Sequence, residues 1–310
     1  MITRALLSFA ALATFVSVGG AACTTIKGEN DDGGLAPDGA PIDPGSDGGI
    51  RDGGGDGGAT ITDYGSISLT YADYGTVKSF VGFAQFQRAT GVTPSLPSCQ
   101  SETEGECVSY VCAPFVQAEA GTTSDAGSPT PPNAGVISVS GARIPAGTKL
   151  TPGPDGKYPA LQQTGLDAWS GGETLSISAV GADVPAFSGT VVAPAPGVAL
   201  TSPAISPTQK AEIDRSKALA VAWSGAGAGT LTVSATASVP GGGSAVVTCR
   251  FDASKGTGQM PTKLLAKLPA GDGGFGASIS TTEQVKAGSY TVTLLGSSSV
   301  KNASGQVTLK

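Results

Sequence analysis

Histidine is absent from this chain, which leaves five cysteines and twenty-four carboxylates as the side chains with most claim to chemistry. Without an imidazole, the common Ser-His-Asp and Cys-His activations have no base, and the commonest nitrogen ligand for zinc is missing. Ser298-Ser299-Val300-Lys301 spells a Ser-x-x-Lys pattern, in which a lysine activates a serine nucleophile. It lies near an expected strand end, lacks the accompanying Ser-Asp-Asn and Lys-Thr-Gly elements, and reads as coincidence. Gly-x-Ser-x-Gly and P-loop patterns do not occur, and Gly225-Ala226-Gly227-Ala228-Gly229 reads as a hairpin turn rather than a phosphate cradle.

Paired carboxylates are the remaining route to catalysis, since a glycosidase needs two acids only about 5 to 10 Å apart. Asp167, Glu173, Asp183, Glu212, Asp214, Asp252 and Glu283 fall near expected strand ends without a shared spacing, as solvated surface residues do. The expectation is a protein that is not an enzyme and uses no cofactor, with a glycoside hydrolase-like carboxylate pair as the third reading. Binding is the stronger class. Tyr64, Tyr71, Tyr74, Phe80, Phe83 and Phe86 gather in one N-terminal hairpin, and Trp169 sits beside the Ser170-Gly171-Gly172 turn. Tyr74 and Trp169 are the candidates for stacking on a sugar ring or anchoring a protein partner, which makes carbohydrate binding the second reading.

Four cysteines follow Cys23: Cys99, Cys107, Cys112 and Cys249. In an exported protein they oxidise, and four thiols allow three fully paired connectivities. Cys107 and Cys112 share the expected strand CVSYVC, where an odd separation puts them on opposite faces and out of bonding reach of each other. Cys99, read as lying in the preceding loop, is therefore the natural partner of Cys107 or Cys112. Cys99–Cys107 is the favoured bridge, Cys112–Cys249 a weaker possibility, and Cys249 otherwise a buried thiol between Val247 and Phe251. No Cys-x-x-Cys spacing suggests a metal.

Arg4 followed by the apolar run Ala5–Val18 and small residues up to Ala22 has the three-part layout of a secretory signal, too short to span a bilayer comfortably. Gly20-Ala21-Ala22-Cys23 resembles the signal ending of bacterial lipoproteins, in which the cysteine becomes the lipidated N-terminus. The resemblance implies a lipid anchor at Cys23, and Thr24, rather than Asp, after it implies sorting to the outer membrane. Multiple acyl chains, at roughly 0.8 kcal/mol per buried methylene, would hold such a protein on the membrane essentially permanently.

Residues 28–60 carry eight acids against Arg51 and are dominated by Gly, Asp and Pro, so no core can repay their ordering entropy. This tract is expected to be a disordered tether, reaching roughly 34 Å from Cys23 to Thr60 as a Gly-rich coil. The Asp spacing fits neither an EF-hand loop nor a calcium β-helix repeat. With two bases in residues 1–27, the charge of −6 leaves only −1 on residues 61–310. A nearly neutral body without a basic row argues against nucleic acid.

The elements that must position these residues are strands. Ile67, Leu69 and Tyr71 alternate with polar neighbours, as do Ile137 and Val139, then Leu175, Ile177 and Ala179, then Phe187, Gly189 and Val191. A Pro-rich stretch at 194–207 marks a boundary, after which Leu219/Val221/Trp223, Leu231/Val233/Ala235, Val247/Cys249/Phe251 and Tyr290/Val292/Leu294 form further faces. One helix is predicted over Thr262–Leu268, opened by Pro261. The fold class read from this is all-β: a signal peptide at 1–22, a lipid-anchored linker at 23–60, a first β-sandwich unit at 61–200 and a second, immunoglobulin/fibronectin-III-like, at 208–310. The tether, Leu219–Trp223, Cys249–Asp252, Met260-Pro261 and Leu264-Leu265 together resemble secreted myxobacterial lipoproteins. That resemblance implies location and fold without any assigned reaction. The reading of function is a non-catalytic cell-envelope lipoprotein, held by its anchor and presenting its body to an unknown protein or glycan.

Overall fold

A computed structural model describes residues 63–73, 75, 77–88, 99–114, 130–206, 209–225 and 227–310. The body is all-β. Its strands are β1 (Tyr64–Asp73), β2 (Lys78–Gln87), β3 (Cys99–Glu104), β4 (Cys107–Cys112), β5 (Ile137–Ser140) and β6 (Lys149–Leu150). They continue as β7 (Leu161–Thr164), β8 (Thr174–Ala179), β9 (Phe187–Val192), β10 (Ala199–Ser202), β11 (Ala211–Ile213) and β12 (Leu219–Ser224). Then come β13 (Thr230–Val239), β14 (Gly243–Asp252), β15 (Thr257–Met260), the helix α1 (Thr262–Leu265), β16 (Gly271–Ala287) and β17 (Tyr290–Leu309).

Two sheets result. The larger is a thirteen-stranded mixed sheet whose main path runs β15-β12-β10-β17-β16-β13-β14-β4-β3, with β1 and β11 also on β17, β2 on β1 and β7 on β2. The smaller is four-stranded and antiparallel, in the order β6-β5-β8-β9. Parallel pairing in the larger sheet is confined to β17, which takes β1, β10 and β11 in that sense. These joins link segments far apart in sequence, so no hairpin turn can announce them.

Side-chain alternation explains the layering. Ile67, Leu69 and Tyr71 of β1 are buried, as are Ile137, Val139, Leu175, Ile177, Phe187 and Val191 facing them from the smaller sheet. Gly189 belongs to this face because a Cβ there would sit 2.6 Å from Val285 and 2.7 Å from Leu294, so β9 crosses the larger sheet closely only with glycine. Tyr290, Val292 and Leu294, expected in the second unit, join this first core.

The second core contains Val221, Trp223, Leu231, Val233, Val247, Phe251 and, farther along β17, Val307 and Leu309. Trp223 stacks on Phe251 at 5.8 Å and donates from Nε1 to Ala253 O at 2.8 Å. The helix forms where Pro261 predicts it, shorter than Thr262–Leu268, and sends Leu264 and Leu265 into this core together with Leu268 beyond its end. β4 also belongs here, since it pairs with β14 and buries Cys107. Residues 59–310 form one compact unit in which the long strands β16 and β17 serve both cores.

Candidate functional site

A group of charged and polar side chains surrounds Asp167, beside the first core. The Tyr71 hydroxyl, at the end of the buried face of β1, donates to Asp167 Oδ1 at 2.8 Å. Lys78, the first residue of β2, reaches the same oxygen at 2.9 Å. Arg143, in the turn after β5, pairs with Asp167 Oδ2 and also donates to Ser170 Oγ. Glu173 closes the adjacent turn by accepting the backbone N–H of Ser170 at 2.7 Å and of Gly171 at 2.6 Å.

These contacts fix the protonation states. Hydrogen bonds from Lys78 and Tyr71, with the Arg143 charge behind them, hold the Asp167 carboxyl below the ordinary carboxylate range. Burial, then the Asp167 carboxylate itself, push Tyr71 up to about 12. A carboxylate with both oxygens occupied and its proton affinity lowered is a poor general acid and a poor ligand. The group does structural work, tying β1, β2 and two loops together.

Trp169 lies directly beneath, and the expectation that it stacks on a sugar or a partner is overturned. It is 0% exposed, with its ring edge-on to Tyr71 at 5.3 Å and to Phe80 at 5.9 Å. Its Nε1–H is satisfied by Pro194 O and Ser298 Oγ, each at 3.0 Å. The turn beside it is closed locally by Glu173, which accepts the Ser170 and Gly171 amides, whereas the partners that hold the Trp169 indole are non-local and the Gly-rich sequence does not reveal them. Ser298 is likewise buried and donates to Pro194 O, whereas Lys301 is exposed, so the Ser-x-x-Lys pattern does not assemble a nucleophile and base. Tyr71, Phe80 and Phe86 are core residues, while Phe83 on the outer face of β2 is 40% exposed. Tyr74 and Cys23 lie outside the described residues.

Most of the other candidate carboxylates are engaged with partners in the fold. Asp183 accepts from Asn133 N and Nδ2, Glu212 pairs with Lys310 at 2.7 Å, and Asp252 caps the 3-10 turn through Ser254 N at 2.9 Å. Asp214 is drawn down to about 2 by the Ser216 hydroxyl first, then by Lys217 and the Ser216 amide. Glu283 lines a shallow open groove of ≈ 320 Å³ with Val192, Thr230, Ser280, Thr281 and Thr282. The groove opens where β13 leaves β16, whose pairing with it ends at Thr230 opposite Ser280. It brings together hydroxyls and one carboxylate, with none of the other candidate acids among its lining residues.

The cysteines do come together, in a pairing different from the expected one. Cys99 bonds to Cys112 and Cys107 to Cys249, so neither the favoured Cys99–Cys107 bridge nor Cys112–Cys249 forms, and Cys249 is not a free thiol. The physical reason is register. Gly105, at φ 58°, opens a two-residue hairpin turn between β3 and β4, placing Glu104 opposite Cys107 and Cys99 opposite Cys112. Cys99 is thus the first residue of a strand rather than part of a loop. Opposite-face parity holds: Cys107 points into the second core, where β4 sets it against Cys249 of β14, and Cys112 points outward. The signal available in sequence was Glu104-Gly105-Glu106-Cys107, since counting outward from a Gly-first two-residue turn gives the Cys99–Cys112 match.

No group of three or more metal-ligating side chains occurs among the described residues, and none of their helices is long and apolar enough to cross a membrane. The chain matches no protein-family model and no curated protein.

Proposed function

We propose that this chain is an exported, lipid-anchored cell-envelope protein whose β-sheet body serves as a non-catalytic interaction module. The observation that carries the exported part of this reading is the pair of cross-strand disulfides, since such bonds persist in oxidising compartments outside the cytoplasm. The signal-like residues 1–22 and Gly20-Ala21-Ala22-Cys23 support the anchor, which places the protein on the outer membrane by the sorting rule its resemblance implies. The Asp167 cluster supports the non-catalytic part of the reading, because both carboxylate oxygens are already engaged within the fold.

The finer architecture of the second half reads as immunoglobulin-like. Buried Trp223 packed on Phe251 supports that reading. A disulfide between the adjacent strands β4 and β14, rather than across two sheets, departs from it.

Detergent phase partitioning of the full chain against Cys23→Ser, with the N-terminal mass measured, tests the anchor. The native chain is expected in the detergent phase with an acyl mass on Cys23, and the variant in the aqueous phase. An unmodified Cys23 in the aqueous phase overturns it. A photo-crosslinker at exposed Phe83, used in intact cells, tests the module: a discrete adduct absent from a crosslinker placed at buried Phe80 is the expected outcome.

A further inference from the structure

The two disulfides occupy opposite environments. Cys107 is 3% and Cys249 0% exposed, sealed in the second core. Cys99 is exposed, and its partner Cys112 lies half-buried on the outer face of β4. β3 itself ends the main path of the large sheet, among the described residues pairs only with β4, and buries no side chain: Cys99, Gln100, Ser101, Thr103 and Glu104 are exposed and Glu102 is half-buried.

Besides the ladder and the disulfide, three side-chain attachments hold β3 among the described residues. Glu102 forms ion pairs with Lys263 and with Lys267, the latter at 3.0 Å, and its carbonyl accepts a long 3.4 Å bond from Ser109. Exposed ion pairs contribute little. The covalent bond is the principal clamp on a strand that has no hydrophobic hold on the body.

We propose that Cys99–Cys112 is an exchangeable disulfide, a reaction site for an external dithiol, which opens it while Cys107–Cys249 remains bonded. A thiolate of the dithiol attacks Cys99 Sγ, the Cys99–Cys112 bond breaks, and the departing Cys112 thiolate takes up a proton. The second thiol of the dithiol then deprotonates, attacks its own mixed-disulfide sulfur and releases Cys99 as a thiol. Two electrons pass to the protein pair and the dithiol leaves as its disulfide. The same attack on Cys107–Cys249 requires the second core to open first, because its sulfurs are shielded from solvent. Reduction in the folded state therefore loosens β3 and leaves the rest of the second core closed. This is independent of the lipid anchor at Cys23.

The test uses the full chain under native conditions. It is incubated with dithiothreitol, quenched in acid, alkylated with N-ethylmaleimide and mapped by peptide mass. Cys99 and Cys112 are expected to label at least tenfold faster than Cys107 and Cys249, and the fast phase to vanish in a Cys99→Ser/Cys112→Ser variant. Equal rates, or faster opening of Cys107–Cys249, overturn the proposal. In hydrogen exchange on the same samples, partial reduction is expected to raise exchange at Gln100–Glu104 and leave Thr230–Val239 protected. Retained protection in β3 overturns its dependence on the clamp, and this readout does not require the serine variant to fold.

Discussion

The first and second cores share β16 and β17 yet are fastened by different means. The first is closed by aromatic packing of Trp169, Tyr71 and Phe80 under a lid of titratable side chains. The second holds one disulfide inside and carries another at its sheet edge. One core is therefore capped by titratable groups and the other is tied by disulfides, although both rest on the same two strands. Dispersion and burial suffice where large rings interlock, whereas the second core, with fewer aromatic rings, gains a covalent tie across its ladder.

Perturbations of each fastening separate these modes. Trp169→Ala is expected to have the largest effect, about 3 to 5 kcal/mol in denaturant unfolding, because it removes a buried ring and takes the indole donor from Ser298 Oγ. If the cost proves under about 1 kcal/mol, the aromatic fastening of the first core is wrong. Replacing Cys107 and Cys249 together by Ala removes a tie across a sequence separation of 142, with an expected loss of about 2 to 5 kcal/mol. The Cys99/Cys112 pair, at a separation of 13, is expected to cost less in the same assay. The reverse order would break the distinction between the core tie and the edge tie.

Tyr71→Phe is expected to cost about 1 kcal/mol, the net value of one hydrogen bond. It also changes the alkaline limb. Because the folded value is raised, the contribution of Tyr71 is complete below its unfolded pKa near 10 and is lost as pH rises through about 12, so the variant should lose that dependence. Asp167 has the opposite sign: its folded value is depressed, so its contribution is present above about pH 4 and is lost as pH falls through the lower folded value. Unfolding titrations of Asp167→Asn should show a flatter acid limb, and an unchanged limb would remove the lid from the first core's fastening. The smallest expected effect is Gly105→Ala, about 1 kcal/mol or less, from forcing a side chain to φ 58° with open space around it. Its sharper readout is faster dithiol opening of Cys99–Cys112.

Strands whose hydrophobic period is two were legible in sequence: the buried faces of β1, β5, β8, β12, β13 and β14 all follow the alternation. Pro261 marked α1 for an equally local reason. Most of what escaped was non-local. The place of Trp169 depends on Ser298 and Pro194, and that of Tyr290 on β1, none of which is a sequence neighbour. The cysteine partners depended on a turn register and on a strand far down the chain. Face parity, fixed by counting residues, survived the comparison; partner choice did not.

The double service of β17 also sets an order of assembly. Its first half supplies the parallel partner of β1 from Tyr64 opposite Thr291 to Tyr71 opposite Ser298, and its second half those of β10 and β11. In a chain delivered N-terminus first, the β1–β2 hairpin has no neighbour on its inner side until Tyr290–Leu309 arrives. Closure of loops this long precedes the contacts that reward it, which slows folding. Both cores consequently depend on one late event, and a chain halted before Tyr290 would present an unpaired sheet edge to its neighbours.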